Sequence, residues 1–178
     1  MAARISASLK KKLARVRLFL CDVDGVLTDA TVSMGEAGET KRFHIRDGLG
    51  LRLLQQNGIQ VGWVSHRPSP ATTKRAKDLK IDYLHQKSVP KVGAIEGIQR
   101  KAGVDWEETC YVGDDLFDLG ALKRAGLAVS VADGLAEARA IADYVTRQPG
   151  GMGAVREIVE VILKAQGRWE RIVEEQLQ

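Results

Sequence analysis

Two clusters of aspartates are the strongest chemical signal in this sequence. Asp22-Val23-Asp24-Gly25 ends one apolar run, and Gly113-Asp114-Asp115-Leu116-Phe117-Asp118 ends another. A carboxylate directly after a buried strand is unusual, because burying an unpaired charge is energetically costly. Two such clusters predict that their charges meet around a cation. Oxygen ligands without a histidine or a thiol in either cluster suit Mg²⁺.

The elements that must position these clusters alternate between strand and helix. Strands are predicted over residues 16–23, 59–65, 81–84, 109–112, 127–131 and 144–146, and helices over residues 47–56, 70–79, 90–101, 116–124, 135–141 and 154–166. This alternation predicts an α/β fold, a Rossmann-like parallel sheet with helices on both faces. Ligands bind such sheets at the carboxyl ends of the strands, where both aspartate clusters and Ser65-His66-Arg67 fall.

A β-hairpin flap is predicted from residues 31–34 and 42–45, which flank a glycine-containing turn. This hairpin and one helix–strand unit fill residues 25–64, and residues 66–90 hold one helix and one short strand. Neither segment has room for a further inserted domain, so the crevice at the sheet edge would be open to water. Because exclusion of water strengthens the electrostatics of a site, we expect another element to cover it.

Two local features are predicted at helix ends. Asp47 is expected to cap the helix over residues 47–56. The loop over residues 150–153 contains three glycines and precedes the last predicted helix. It could bind an anion through its backbone N–H groups, or it could simply form a tight turn.

Length and charge favour one soluble domain. The chain has 178 residues and a formal net charge of +4, and we expect a single domain over residues 1–178. Much of the positive charge lies in a basic N-terminal segment, residues 1–14, which includes Arg4. Few aromatic residues accompany these charges, so a solvated tail is favoured over a nucleic-acid-binding segment.

The cysteines and the hydropathy of the sequence indicate the cellular compartment in which the protein is expected. The two cysteines, Cys21 and Cys110, lie in apolar runs and are expected to be small core residues. No stretch approaches the ~20 apolar residues of a membrane span. The run before Cys21 is too short for a signal peptide, and Asp22 interrupts it. We therefore expect a cytoplasmic protein that binds neither membrane nor nucleic acid.

Four short segments together resemble the motifs of the haloacid dehalogenase-like phosphatases. They are DVDGVLTD at residues 22–29, Ser65 at a strand end, Lys91 at a helix start and GDDLFD at residues 113–118. Taken alone, Ser65 would be a turn-capping hydroxyl and Lys91 a surface lysine. The resemblance implies a Mg²⁺-dependent phosphatase that works through an aspartyl-phosphate intermediate.

The resemblance also implies a role for each residue. Asp22 would be the nucleophile, and Asp24 the general acid and then the general base. Ser65 would donate to a phosphoryl oxygen, and Lys91 would neutralise another. The implied metal ligands are Asp22, the backbone carbonyl of Asp24, and Asp114, with Asp115 at or just behind the metal and Asp118 anchoring the loop.

Further segments resemble the 3-deoxy-D-manno-octulosonate 8-phosphate phosphatases, which act on an eight-carbon sugar acid in lipopolysaccharide precursor synthesis. They are FHIRDGLG at residues 43–50, Arg67, and GGMGAVREIVEVIL at residues 150–163. This resemblance implies a capless homotetramer in which hairpins and neighbouring subunits close the site. Arg67 would hold the sugar carboxylate or the phosphate. Arg46 and Arg156, perhaps reaching from a neighbour, are further candidates, and Arg156 is equally a structural ion-pair partner.

Departures from the family pattern leave alternatives open. His66 stands where these phosphatases usually have glycine, and it would either line the pocket or point outward. A phosphatase for a nine-carbon nonulosonate 9-phosphate is one alternative. A non-catalytic oligomerisation module is another, although the presence of Asp22 and Lys91 argues against it. The C-terminal tail, residues 167–178, contains Trp169 and is predicted to dock on a neighbouring subunit, because an exposed tryptophan would be unfavourable.

Overall fold

The structure is a computed structural model that describes residues 6–36 and 38–177. Its helices are α1 Ala7–Arg15, α2 Ile45–Gln56, α3 Pro70–Asp78, α4 Lys91–Ala102, α5 Leu119–Leu122, α6 Ala136–Ile141, α7 Ala154–Ala165 and α8 Trp169–Glu175. Its strands are β1 Leu18–Cys21, β2 Ser33–Gly35, β3 Gly38–Thr40, β4 Gln60–Ser65, β5 Tyr83–Gln86, β6 Thr109–Gly113, β7 Leu127–Ser130 and β8 Tyr144–Val145. A short 3-10 turn, Leu116–Asp118, precedes α5.

Six strands form one parallel sheet in the order β5-β4-β1-β6-β7-β8. The central strand β1 shows why both faces are covered. Phe19 and Cys21 belong to one apolar cluster and Leu18 and Leu20 to another, and all four side chains are buried. Because successive side chains point to opposite faces of a sheet, the two clusters lie on opposite faces. The predicted α/β architecture is confirmed.

The hairpin differs in position from the prediction. β2 pairs antiparallel with β3, and the pairing places Ser33 opposite Thr40, whereas the second strand was expected over residues 42–45. The predicted hairpin is therefore present, but its second strand lies earlier in the chain than expected, because residues after Thr40 contact the body of the protein. Phe43 stacks on Trp63 of β4, with ring centroids 6.1 Å apart, and the Lys41 side chain is fully buried. Ala37 lies outside the described residues.

Asp47 caps a different helix from the one predicted. Helix α2 begins at Ile45, so Asp47 already lies within its first turn. Its carboxylate accepts hydrogen bonds from the backbone N–H groups of Gly153 at 3.3 Å and Arg156 at 2.7 Å. Asp47 therefore satisfies the amino-terminal end of α7, and it joins two helices that pack against each other along one face of the sheet.

The helices near the two termini, α1 and α8, pack against the core of their own chain. Helix α1 forms where a solvated tail was expected; Leu13 is fully buried, and Lys12 pairs with Asp143 at 2.6 Å. Residues 1–5, including Arg4, lie outside the described residues. In helix α8, Ile172 is buried and Trp169 packs against the core. Trp169 is thus partly covered within this chain, and docking of the tail on a neighbouring subunit stays a prediction.

The segments between the motif-bearing strands contain no cap domain in the part of the chain that the structure describes. One segment consists of the hairpin and α2, and the other of α3, β5 and α4. Among the same described residues, no helix combines the length and apolarity needed to cross a membrane.

Candidate active site

Three neighbouring central strands end at one edge of the sheet. β1 leads into Asp22, β4 ends at Ser65, and β6 ends at Gly113, just before Asp114. The register aligns Cys21 of β1 with its neighbours on β4 and β6. Because all three strands run in parallel, their following loops converge at the carboxyl edge. The sequence positions predicted to do chemistry therefore meet in space.

Three carboxylates form the centre of this edge. Asp22, Asp114 and Asp118 each offer one carboxylate oxygen, and these three oxygens lie within 4.8 Å of one another. The Lys91 ammonium lies 2.9 Å from Asp22 Oδ2 and 2.6 Å from Asp118 Oδ1. Three negative groups thus face one positive group, and a divalent cation would balance the remaining charge.

Asp118 is fully buried and organises the loop after β6. Tyr111 donates its hydroxyl to Asp118 Oδ1 at 2.6 Å. The backbone N–H groups of Asp114 and Asp115 donate to Asp118 Oδ2 at 2.9 and 3.2 Å. With Lys91 also donating to Oδ1, both oxygens of Asp118 are occupied by protein groups. Asp118 therefore fixes the backbone that presents Asp114.

Asp115, whose place at or just behind a metal stays a prediction, makes a local contact in this structure. Its side chain is outside the group of three carboxylates found among the described residues. Asp115 Oδ1 instead accepts the backbone N–H of Leu116 at 2.6 Å and caps the 3-10 turn. The physical reason is local: a carboxylate at this position can satisfy the free N–H groups of the turn that follows it, and Asp118 takes the inward position.

The electrostatics of the cluster indicate uncompensated negative charge. Burial raises the pKa of Asp22 to about 6, although Lys91 opposes the rise. Burial, with the charges of Asp118 and Asp22, raises the pKa of Asp114 to about 8. For Lys91, burial lowers the pKa, but the carboxylates of Asp118 and Asp22 outweigh it and raise the pKa overall.

The donor set fits a hard divalent cation. Asp114 Oδ1 is buried and has no hydrogen-bond partner among residues 6–36 and 38–177. A buried carboxylate oxygen without a partner is costly unless a cation or a proton meets it. The carboxylates of Asp22 and Asp114 supply the kind of oxygen ligand that Mg²⁺ prefers.

The loop after β4 is held by Ser65, which is buried. Ser65 Oγ accepts the backbone N–H of Arg67 at 3.2 Å and donates to the carbonyl oxygen of Arg67 at 3.0 Å. These contacts are those of a turn-capping hydroxyl. They also place the hydroxyl at the carboxyl end of β4, next to the end of β1 that leads into Asp22.

Asp24 belongs to a ring of alternating charges. Its Oδ1 lies 2.6 Å from Lys41 Nζ, and its Oδ2 lies 3.7 Å from Arg67 Nε. Glu39 of β3 completes the ring, because it pairs with Arg67 and lies 3.9 Å from Lys41 Nζ. Hydrogen bonds from Ser69 and Arg67 hold the pKa of Glu39 below its usual value. The hairpin thereby reaches the candidate general acid of its own chain.

The comparisons with known proteins agree with this geometry. Residues 81–158 match the family of haloacid dehalogenase-like hydrolases. The 3-deoxy-D-manno-octulosonate 8-phosphate phosphatase of Escherichia coli strain K12 is 39% identical over 165 residues, which span 92% of this chain and 88% of that protein. The chain belongs to the haloacid dehalogenase-like hydrolases.

Solved structures of such hydrolases have the same fold. One is the 3-deoxy-D-manno-octulosonate 8-phosphate phosphatase of Moraxella catarrhalis in complex with magnesium ion, phosphate ion and KDO. It matches with a TM-score of 0.91 at 40% identity and covers 95% of this chain and 97% of that one. Another is the cobalt-bound deoxy-D-mannose-octulosonate 8-phosphate phosphatase of Haemophilus influenzae, with a TM-score of 0.86 at 40% identity, covering 89% and 93% of the two chains.

His66 lies in the loop after β4 and contacts two further loops of the site. Its ring stacks on Phe117, with centroids 4.4 Å apart and planes 7° apart. Its Nε2 lies 2.8 Å from Ser88 Oγ, in the loop that leads to Lys91. The imidazole therefore contacts the loop after β6 and the approach to α4. Phe117 is 65% exposed, so the stacked pair forms part of the surface at this edge.

The candidate substrate arginines lie in different surroundings. Arg67 is paired with Glu39, so a substrate anion would have to compete with that carboxylate. Arg46 and Arg156 line a cleft of about 790 Å³ whose lining includes none of the clustered carboxylates. Arg156 pairs with Glu160 at 2.8 Å and lies over the ring of Trp169. Within this chain, Arg156 therefore has the surroundings of a structural ion-pair partner.

The glycine-containing loop before α7 uses its N–H groups internally. Gly150 donates to Asp133 Oδ1 at 2.8 Å, and Gly153 donates to Asp47 at 3.3 Å. Gly151 donates to the carbonyl oxygen of Val26 at 2.9 Å. The tight-turn alternative therefore describes this loop. Its contact with Val26 braces the segment that follows Asp24.

Sequence reasoning missed Lys41 and Glu39. Both lie in or directly after the hairpin, which was expected to act in assembly and in closing the site, and no charged residue of it was singled out. The available signal was their alternation: Glu39-Thr40-Lys41 places an acid and a base two residues apart, on the same side of an extended segment. Such a pair predicts contact with charged groups on one facing surface.

Proposed function

We propose that this protein is a Mg²⁺-dependent phosphatase that hydrolyses 3-deoxy-D-manno-octulosonate 8-phosphate to the free sugar acid and phosphate. One observation supports the reaction type above all: the partly buried cluster of Asp22, Asp114 and Asp118 around Lys91 at the carboxyl edge of the sheet. The substrate follows from relatives of that name, which are about 40% identical over nearly the whole chain.

The carboxylates of Asp22 and Asp114 and the backbone carbonyl of Asp24 would hold Mg²⁺. When bound, Mg²⁺ offsets the repulsion between the Asp22 carboxylate and a phosphate dianion. Asp118 stabilises this arrangement without giving up its contacts with Tyr111 and Lys91. The protein itself thus supplies a rigid oxygen set in a partly dehydrated site.

In the first half-reaction, a carboxylate oxygen of Asp22 attacks phosphorus and forms the aspartyl-phosphate. The bond between phosphorus and the sugar oxygen breaks, and Asp24 gives its proton to that leaving oxygen. Lys91 is positioned to neutralise charge that develops on the phosphoryl group, because its ammonium already lies 2.9 Å from Asp22 Oδ2. The Ser65 hydroxyl is proposed to donate to another phosphoryl oxygen.

In the second half-reaction, water attacks phosphorus and the Asp22–phosphorus bond breaks. Asp24, now a carboxylate, takes the proton of that water and returns to its starting state. Arg67 is proposed to bind an anionic group of the substrate in exchange for Glu39, its partner in the free protein.

A panel of phosphorylated sugars with Mg²⁺ tests the proposal directly. We expect Asp22-dependent phosphate release from the octulosonate 8-phosphate, and its loss in Asp22→Asn. The matched control is Asp78→Asn, which alters an exposed carboxylate on α3 that pairs only with Arg75 in the described residues. No release from any sugar phosphate by folded, Mg²⁺-loaded protein would reject a phosphatase.

A nine-carbon nonulosonate 9-phosphate is the second candidate substrate, and the stacked pair of His66 and Phe117 is the observation that favours it. An imidazole in place of glycine changes the shape of the wall beside the site. Comparison of kcat/KM for the two sugars, in the wild type and in His66→Gly, decides between them. A preference for the nine-carbon sugar that His66→Gly reverses would establish the alternative.

We also propose that copies of this chain assemble, as a homotetramer. Apolar side chains on the hairpin and the first turns of α2 are exposed: Val32 by 40%, Met34 by 75%, Ile45 by 74% and Leu49 by 52%. Exposed apolar groups concentrated in one region are typical of interaction surfaces. Light scattering should give the mass of four chains, and Met34→Lys with Ile45→Lys should lower it. A monomeric wild type would contradict the proposal.

The unit that carries this activity is proposed to be a single domain over residues 1–178. The packing of α1 and α8 against α7 supports this. A cytoplasmic location is proposed as well. Its support is that Cys21 and Cys110 are buried free thiols, as expected in a reducing compartment.

A further inference from the structure

The side chain of Lys41 is fully buried and ends at Asp24. Its ammonium lies 2.6 Å from Asp24 Oδ1 and donates to Thr72 Oγ1 at 3.2 Å. Its next carboxylate, Glu39, is farther away at 3.9 Å. A buried lysine needs a close counter-charge, because taking an ammonium out of water is costly. Asp24 is therefore the group on which the position of Lys41 depends, and the dependence is mutual.

The two oxygens of Asp24 have different surroundings. Oδ1 is held by the buried Lys41 and Oδ2 faces Arg67 Nε at 3.7 Å, beyond hydrogen-bond distance. The Arg67 side chain is 45% exposed and is already paired with Glu39. One oxygen of the carboxylate is thus fixed, and the other is more loosely held.

We propose that Lys41 is a positioning residue that fixes Asp24 through Oδ1 and leaves Oδ2 to exchange protons with the leaving oxygen and with water. This inference rests on the proposed function, in which Asp24 is the general acid and base. In this role Lys41 acts through Asp24 and not on the substrate. It gives the hairpin a part in proton transfer, since Lys41 directly follows β3.

A leaving group that needs no proton separates the two half-reactions, because only the second one then depends on Asp24. p-Nitrophenolate leaves without a proton, so phosphorylation of Asp22 by p-nitrophenyl phosphate does not need Asp24. The attack of water on the aspartyl-phosphate still needs Asp24 to take a proton. Misplacement of a catalytic group by about 1 Å can cost about 100-fold in rate.

Single-turnover kinetics with the Mg²⁺-loaded full chain and p-nitrophenyl phosphate separate the two steps. In Lys41→Met we expect nitrophenolate release within about twofold of the wild-type rate, and phosphate release slower by about 10- to 100-fold. The control is Lys74→Met, which changes an exposed lysine on α3 and should alter neither rate. Circular dichroism verifies that both variants are folded.

A double-mutant cycle tests whether Lys41 acts through Asp24. In an Asp24→Asn background, Lys41→Met should cause no further slowing of phosphate release, because the group that it positions is gone. Additive losses, or equal slowing of both steps in Lys41→Met, would overturn the inference and leave Lys41 as a structural tie for the hairpin.

The assay also distinguishes this inference from the proposed function. p-Nitrophenyl phosphate does not depend on recognition of the sugar, so failure on the octulosonate 8-phosphate would reject the substrate and leave the Lys41 result standing. A wild type that forms no aspartyl-phosphate at Asp22 would overturn the phosphatase mechanism and the role of Lys41 together.

Discussion

Gly25 faces the carboxylate of Asp114 across a gap that has no room for a side chain. A Cβ atom at Gly25 would lie 2.0 Å from Asp114 Oδ2, and the backbone there has φ of +95°. The first aspartate loop and the second are therefore in direct contact at this glycine. The close approach explains physically why a glycine follows Asp24.

Gly25→Ala should weaken Mg²⁺ binding at the cluster, because the new methyl group displaces Asp114. Gly58→Ala is a matched control: Gly58 also has positive φ, +76°, but a Cβ atom there would have nothing within 4 Å. Both variants should lose about 1–2 kcal/mol from backbone strain. Only Gly25→Ala should weaken Mg²⁺ affinity, by about tenfold or more, in calorimetric titration; equal affinities in the two variants would contradict the contact.

Lys91→Met should destabilise the fold by about 3–5 kcal/mol, since it leaves the partly buried carboxylate of Asp22 and the buried carboxylate of Asp118 without their shared cation. Urea unfolding in the absence of Mg²⁺ measures this. Lys12→Met is the control, because Lys12 forms an ion pair with Asp143 that is 39% exposed on the lysine side and should contribute about 1 kcal/mol or less. Similar losses of unfolding free energy in both variants would show that the carboxylates of Asp22 and Asp118 do not depend on the charge of Lys91.

The metal-free protein should lose stability as the pH rises from about 4 to about 8. The pKa of Asp22 is raised to about 6 and that of Asp114 to about 8. In this range the folded state keeps protons that the unfolded chain has released, so the free energy of unfolding falls with increasing pH. Asp22 alone accounts for up to about 3 kcal/mol.

Thermal unfolding in EDTA at several pH values checks this slope. Mg²⁺ binds the deprotonated carboxylates, so the gain in Tm on adding Mg²⁺ should increase with pH. Asp114→Asn should flatten the metal-free profile. A metal-free Tm that stays constant or rises over this range would show that the carboxylates are not under strain.

Much of the fold and the site could be predicted from the sequence because the signals were local. An apolar run that ends in Asp22 or Asp114 marks a strand and its carboxyl end together. Pro90 before Lys91 marks a helix start, and the structure begins α4 at Lys91. These features depend on residues that are neighbours along the chain.

The features that the sequence did not reveal depend on contacts between distant segments. Asp47 is of a residue type that commonly caps the helix following it in the sequence. In the structure it caps α7 instead, more than 100 residues along the chain. Asp115 and Asp118 have the same side chain, so the sequence alone does not indicate which one points inward. The contacts of Asp118 with Tyr111 and Lys91 decide this. Lys41 meets Asp24 only after the hairpin folds back.

Removal of residues 167–178 should lower stability. Trp169 lies between Arg156 and Lys164, at 5.3 and 5.2 Å from its ring, and Ile172 is buried. Loss of these contacts should cost about 2 kcal/mol or more in urea unfolding. Ile172→Ala should reproduce part of the loss, and Leu177→Ala, at an 82% exposed position, should have no effect. Unchanged stability in the truncated chain would mean that α8 is not held by these contacts.

The order of the strands in the sheet determines whether local unfolding reaches the catalytic centre. Its three loops arise from β1, β4 and β6, which are almost entirely buried, whereas the outermost strands β5 and β8 are partly exposed. Regions of high burial open only with the whole molecule, while borders fray early. Backbone amides of β1 should therefore exchange with deuterium most slowly. The edge strands can unfold locally while the loops where phosphate is cleaved stay in place.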